Sequence, residues 1–181
     1  MRPSKREQIL ETAVEMIDAD GLEAVTYDSL SQATGVSKSG LIYHFPSRHE
    51  LMLGVHHHLA DEWERELVDA AGAPAADLSP TARLRALVLS LSGSATRADL
   101  LVQLDAASHP DFENVWREVD RRWSPAPEEV GSSPEVDAAY LMLLAAEGLW
   151  LHDHAHLYSL TPEQRESLTD AIIAMIPVED S

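Results

Sequence analysis

Residues 26–48 read TYDSLSQATGVSKSGLIYHFPSR, from Thr26 to Arg48, and their punctuation decides the fold. Thr26 can cap a short helix that carries Leu30 and Ala33, and Gly35-Val36 breaks it. Ser37 caps a further short helix through Leu41 to about His44, where Pro46 stops it. Ser31, four residues before Gly35, is small enough to let the two helices cross closely, while Val36 and Leu41 plug the angle between them. The stretch predicts a helix-turn-helix, whose last helix offers its outer face to a DNA major groove.

Working outward, Ile9, Leu10, Ala13, Val14 and Ile17 recur at helical spacing from about Ser4 to Gly21. Ser47-Arg48-His49-Glu50 reads as a capping box opening a long helix through Met52, Val55, Leu59, Trp63 and Leu67, ending near Ala71-Gly72. Beyond the linker-like AGAPAADLSP (71–80), two amphipathic helices are expected, one with Leu84, Leu87, Val88 and Leu91, the next with Leu100, Leu101 and Leu104. Pro110 opens another around Phe112, Val115, Trp116, Val119 and Trp123, and residues 124–134 form a loop. From Pro134 to about Leu157 the pattern changes. Between Ala138 and Leu151 it is apolar on every side except for Glu147 and Gly148, and a helix without a wet face needs cover, for which a second subunit is the expected source. Thr161 and Pro162 start a last helix with Leu168, Ile172, Ile173, Met175 and Ile176, ended by Pro177. The expected fold is all-α with about nine helices.

The chain has 181 residues, enough for a real core, and no cysteine, which excludes disulfides, thiol nucleophiles and Cys-ligated metals. Neither a membrane-spanning run nor a signal-peptide pattern is present, so a soluble, cytoplasmic protein is expected. The net charge of −18 is the wrong sign for coating nucleic acid non-specifically. It is unevenly spread: residues 1–54 carry five basic and eight acidic side chains, leaving eight and 23 for the remainder. Any nucleic-acid contact therefore belongs to the first segment.

Gly35-Val36-Ser37-Lys38, Leu41 and Tyr43-His44-Phe45-Pro46-Ser47-Arg48 closely resemble the signature of the tetracycline-repressor (TetR) family of bacterial transcription regulators. The match is specific over about residues 5–55. The resemblance implies a homodimer of all-α subunits, with a DNA-binding head at 1–54 and an effector-binding, dimerising body at 55–181, the linking helix beginning near residue 47. It implies double-stranded operator DNA and a small-molecule effector as partners; the short apolar runs speak against a membrane, and the lack of a nucleophile motif, a phosphate loop and a complete metal-ligand set speaks against catalysis. Carried over position by position, its DNA contacts fall on Thr26, Lys38, Ser39, Gly40, Tyr43, His44 and Arg48. Thr26 and Arg48 suit phosphates, Tyr43 a phosphate or thymine methyl, and Lys38 guanine acceptors. Gly40 stands where many relatives have Thr, and Asp28 where a basic residue is common, so Asp28 is assigned to helix capping or selectivity. Arg2, Lys5 and Arg6 are candidates for an arm reaching the DNA backbone, or are merely solvated.

For the effector, Glu147 lies on a helix face with Tyr140, Leu143, Trp150 and His154, as a pocket carboxylate or as a dimer-rim residue paired with its mate. Trp63, Leu87, Leu104, Phe112, Trp116 and Trp150 are candidates to line the same cavity, the alternative being ordinary core. Adjacent His56-His57-His58 cannot share one face, so surface positions plus one buried ring are expected. No cofactor and no metal site is predicted. The alternative reading is a metal-responsive regulator, or a small metal-dependent enzyme, built on His152, Asp153 and His156.

Overall fold

The computed structural model describes residues 4–156 and 158–176, so Arg2, Leu157 and Pro177 lie outside the described residues. Among these residues there are nine α-helices and no strand. The chain divides into two compact units. One comprises the described residues up to Asp61 together with Thr96–Trp116; the other comprises Glu62–Ala95 and the described residues from Arg117 onward.

In the first unit, α1 (Lys5–Asp20) begins with the reciprocal pair in which Ser4 Oγ accepts from Glu7 N–H at 3.1 Å and the Glu7 carboxylate accepts from Ser4 N–H at 3.2 Å. Lys5 and Arg6 are thus helix residues, and the Arg6 guanidinium lies over the Phe45 ring, 5.1 Å from its centroid. Helix α2 (Tyr27–Thr34) has the same reciprocal cap between Thr26 and Ser29, and Ser37 accepts from Gly40 N–H to start α3 (Lys38–His44). Such caps satisfy amide donors that a helix start leaves free, each contributing about 1 kcal/mol. Ser47 Oγ accepts from Glu50 N–H at 3.1 Å at the head of α4 (Arg48–Ala71).

The core of this unit joins Ile9, Leu10, Ala13 and Ile17 of α1 to Leu30, Leu41, Phe45, Leu51 and Val55. Gly54 allows the closest approach: a Cβ there would come within 2.8 Å of Phe45 Cε1 and 3.1 Å of Leu10 Cδ2. Helix α6 (Arg97–Ala106) packs on α1, and here the structure corrects the expected stripe. Ala98 and Val102 are buried, whereas Leu104 is 75% exposed. The cause is an anchor at the α6 start. Arg97 donates to the carbonyls of Asp18 and Ala19 at the end of α1, while the Asp18 carboxylate accepts from Ala98 N–H at 3.0 Å. These bonds turn the small Ala98 and its i+4 neighbour Val102 toward α1, leaving Leu104 outside.

His56 of α4 is the one buried ring of the histidine triplet, with His57 exposed. Trp116 Nε1, which can only donate, is 2.9 Å from His56 Nδ1. The proton must then sit on Nε2, which donates to Asp105 at 3.3 Å. Burial holds this imidazole below its ordinary range, against the upward pull of the Asp105 hydrogen bond. An unfolded His titrates near 6.5, so below about that pH the unfolded chain binds a proton that the folded one refuses. Stability is therefore expected to fall as pH drops from about 7.5 to about 5.5, and His56→Gln should flatten that part of the curve. Urea midpoints at the two pH values check this; equal pH dependence in both proteins would clear His56.

In the second unit, α5 (Pro80–Ser90), α8 (Pro134–Ala155) and α9 (Pro162–Met175) pack together around Leu84, Leu87, Val88, Met142, Leu143, Ala146, Leu149, Ile172 and Ile176. Arg165 of α9 ties these elements through Asp153 at 2.7 Å and the carbonyls of Leu149 and Gly93 at 3.0 and 3.1 Å. Burial, the largest influence on the Asp153 carboxyl, raises it; Leu160 N–H and Arg165 outweigh that and leave it below its ordinary range. The carboxylate of Glu64 grips Arg122 of α7 (Pro110–Trp123) through two bonds of 2.7 and 2.6 Å and accepts from Trp123 Nε1. The Arg122 bond is the main reason that Glu64 titrates below its usual range. Helix α8 buries only one side. Its opposite side leaves Leu141, Leu144, Ala145, Gly148 and Leu151 exposed, and α9 leaves Leu168 and Met175 exposed. The loop expected at 124–134 contains a short 3-10 helix, Pro127–Glu129, followed by a turn in which Ser132 N–H donates to the Glu129 carbonyl, and α8 begins at its last residue.

Candidate nucleic-acid interface

The bend between α2 and α3 is made at Gly35, whose φ of 70° is the left-handed conformation that a side chain disfavours. Leu30 and Leu41 are buried on either side of it, and Val36 is half-buried between them. With that face committed, α3 turns Lys38, Ser39, Ile42 and Tyr43 outward, Tyr43 being 83% exposed. His44 is half-buried and meets the Tyr43 ring edge-on at 5.3 Å. Ile42, 45% exposed, escaped the sequence reading because an isoleucine in a helix is normally assigned to the core. A Cβ at Gly40 would lie 3.0 Å from Val36 Cγ1 and 3.3 Å from Ser37 Oγ. The glycine thus gives close packing of the turn as well as leaving a gap in the outer face.

The two cationic side chains are held inside the motif. Lys38 Nζ reaches both carboxylate oxygens of Asp28, at 3.0 and 3.2 Å, across the exposed gap between α3 and α2. The Arg48 guanidinium donates to the carbonyls of Val25 and Leu22 and lies 3.7 Å from Glu23. It ties the start of α4 to the segment before α2. Thr26 Oγ1 accepts from Ser29 N–H in the α2 cap.

Two sequence profiles match the chain: bacterial regulatory proteins of the tetR family over residues 9–55, and the tetracyclin repressor-like C-terminal domain over residues 81–177. The chain belongs to the TetR family. It is accordingly a DNA-binding transcriptional regulator and acts by binding rather than catalysis. No curated protein matches it. Among solved structures, it is similar to a transcriptional regulator from Rhodococcus sp. Rha1, with a TM-score of 0.70 and 22% identity over 96% of each chain. A second is a regulator of the TerR/AcrR family from Aquifex aeolicus VF5, with a TM-score of 0.65 and 17% identity over 95% of this chain and 99% of that one. A third is the multidrug binding protein EbrR complexed with malachite green, with a TM-score of 0.65 and 20% identity over 97% and 100%. At these identities the likeness establishes the fold. No helix of the described residues is long and apolar enough to cross a membrane.

For this TetR-family head, the Asp28–Lys38 pair has a measurable consequence. Exposed ion pairs contribute about 0–1 kcal/mol, so a stronger acceptor reaching this face can draw Lys38 away and leave Asp28 as an unpaired charge of the sign that repels phosphate. Asp28→Asn is expected to raise affinity for operator and scrambled DNA alike, by roughly two- to tenfold. Lys38→Ala should instead lower discrimination between them by about 1–3 kcal/mol. Fluorescence anisotropy on the two duplexes separates the effects, and equal losses for Lys38→Ala would place this side chain on phosphate.

The residues expected around an effector are divided. Leu104, Phe112 and Trp116 lie in the first unit, where Leu104 is exposed, Phe112 stacks on His56 at 4.3 Å and Trp116 donates to that same ring. Trp63, Leu87, Glu147 and Trp150 lie in the second unit, with Leu87 fully buried and the other three half-buried. Burial raises the Glu147 carboxyl, and the charge of Asp120 raises it further. Asp120 stands at the surface but is crowded by protein, which raises its carboxyl as well.

The metal set suggested by His152, Asp153 and His156 does not assemble. Asp153 is committed to Arg165 and Leu160 N–H, and the two rings lie 4.5 Å apart with planes tilted by 39°. Among the described residues the cluster of metal-competent side chains is elsewhere, at His49, His109 and Asp111. His49 lies about sixty positions from His109 and Asp111 in the chain, so local spacing could not have brought the three together.

Proposed function

We propose that this regulator is a repressor that binds a palindromic operator as a homodimer and is released by a small-molecule effector. The observation that carries the reading is the outward face of α3, with Lys38, Ser39 and Tyr43 exposed beside Thr26 and His44. The proposed division of labour is a DNA-binding domain at 1–54 and an effector-binding, dimerising domain at 55–181. Arg48 supports the DNA contacts by holding α4 against the segment before α2. The exposed apolar sides of α8 and α9 supply the self-complementary surface for a second copy. Acting on operator DNA, the protein works in the cytoplasm.

For the effector, Glu147 with Trp63, Leu87 and Trp150 is the favoured site. Two crowded carboxylates, Glu147 and Asp120, with no cationic partner for either among the described residues, favour a partly apolar molecule bearing a positive charge or a hydrogen-bond donor. The shared fold with a multidrug binding protein agrees with such a site. Release requires the effector to favour one arrangement of the heads over another, and α4, separated from α3 by three residues, is the rigid element available to transmit that preference.

Sequencing genomic fragments retained by the purified protein tests the reading. A recurring inverted repeat, retarded by wild type and not by Tyr43→Ala, is the expected result; fragments without common sequence would overturn it. Operator binding should also weaken as salt rises, with a slope set by the number of phosphates that the cations of the head neutralise. Glu147→Gln is expected to change which organic cations release the operator while leaving DNA affinity without ligand within a few-fold. Release titrations by anisotropy check this, and an unchanged effector profile would make Glu147 structural.

A further inference from the structure

We propose that His49, His109 and Asp111 form a binding site for a borderline divalent transition-metal ion, with Zn2+ as the reference, that clamps the first turn of α4 to the first turn of α7. His49 Nε2 lies 3.1 Å and His109 Nδ1 3.5 Å from Asp111 Oδ2, and the three donor atoms all fall within 4.8 Å of one another. Ligands bound tetrahedrally at 2.0–2.1 Å are about 3.3 Å apart, so two of the three edges already have nearly the required length. Two imidazoles and one carboxylate suit Zn2+, Co2+ or Ni2+, whereas Mg2+ and Ca2+ prefer oxygen alone.

The surroundings hold the donors in place. The His49 ring stacks on Phe112 with centroids 5.0 Å apart and planes 17° from parallel, and it packs against His109 at 4.3 Å. Without metal, His109 Nδ1 accepts from Asp111 N–H at 3.2 Å, in the N-terminal turn of α7. The ion takes that lone pair, and the amide, at an exposed position, turns to water. A cleft of about 320 Å³ opens beside the cluster, between Leu22, Arg48, Met52, Asp105 and Ser108, giving the ion access and room for water at the fourth position.

The placement has a consequence for DNA binding that rests on the proposed repressor function. His49 follows Arg48, the residue that ties α4 to the carbonyls of Val25 and Leu22 just before α2. Fixing His49 to the start of α7 restrains the end of α4 that adjoins the recognition helix. The ion would thereby bias operator affinity in proportion to its preference for one head position.

The test uses the full-length protein, stripped with chelator, and Co2+ and Zn2+ as probes in the absence of DNA. One equivalent of Co2+ is expected to give the intense visible bands of four-coordination, bleached by Zn2+, with the thermal midpoint raised by the metal. His49→Ala and Asp111→Asn should each weaken binding at least about tenfold, as loss of a ligand does. Both alter partly exposed side chains, and their metal-free melting curves report whether they fold. His152→Ala should bind as wild type does. Absence of binding by folded wild type, or binding unaffected by either ligand substitution, overturns the site. Operator retardation with and without Zn2+ is measured separately, so a failed metal site leaves the DNA-binding reading standing, and the converse also holds.

Discussion

Ala145→Arg is expected to convert the protein into a monomer that no longer retards its operator. Ala145 lies on the exposed side of α8 with Leu141, Leu144, Gly148 and Leu151, and α9 adds Leu168 and Met175. Leu141 is 65% exposed and Met175 58%, levels that aliphatic side chains in adjacent helices rarely combine without a partner. No side chain lies within 4 Å of a Cβ built at Gly148, so a second helix can approach closely there. In a twofold interface each substitution appears twice, and an unpaired buried charge costs several kcal/mol. The dimer constant should therefore weaken by at least about a hundredfold. Sedimentation at micromolar concentration is the measurement. A wild-type monomer, or an Ala145→Arg dimer, would sink the proposed interface. Circular dichroism should be little changed, because the position is already exposed in the single chain.

Phe45→Ala should be the most damaging single truncation in the head, costing about 3–5 kcal/mol. The ring is 2% exposed, its edge occupies the space left by Gly54, and the Arg6 guanidinium covers its face. The Tyr27 hydroxyl donates to the Phe45 carbonyl, so the same residue also fixes α2 to the end of α3. Burial of that phenol raises its titration above the ordinary range, leaving it protonated and able to donate. Removing the ring leaves a cavity between α1, α3 and α4 where Leu10 and Leu41 lose a neighbour. A loss of that size is a large part of the total stability of an ordinary domain, and specific DNA binding should vanish with it. Denaturant midpoints read the effect, with Gly54→Ala as the opposite perturbation: overfilling the same space should cost about 1–3 kcal/mol. If both variants melt as wild type does, Phe45 is not the element that holds the recognition helix in place.

What the sequence determined by itself was everything specified over three or four residues. Ser4 with Glu7, Thr26 with Ser29, Ser37 with Gly40 and Ser47 with Glu50 mark helix starts because each cap joins positions three apart, and Gly35 marks a bend that its own φ requires. That local grammar was enough to mark about nine helices and the helix-turn-helix, while the family came from the resemblance of residues 35–48 to a known signature. The tertiary structure alone decided which side of a helix was used. Leu104 and Ala98 are both apolar, and only the Asp18 and Arg97 anchor, some eighty positions apart, turns Ala98 inward. The same holds for charge: that Lys38 rests on Asp28 and that Arg48 ties backbone carbonyls depends on how α2, α3 and α4 cross. The convergence of His49 with His109 and Asp111 depends on two helix starts coming together from distant parts of the chain. Capping and periodicity are short-range and leave a mark in neighbouring residues. Ion pairs, helix rotation and metal-competent clusters depend on through-space distances, which chain spacing does not encode.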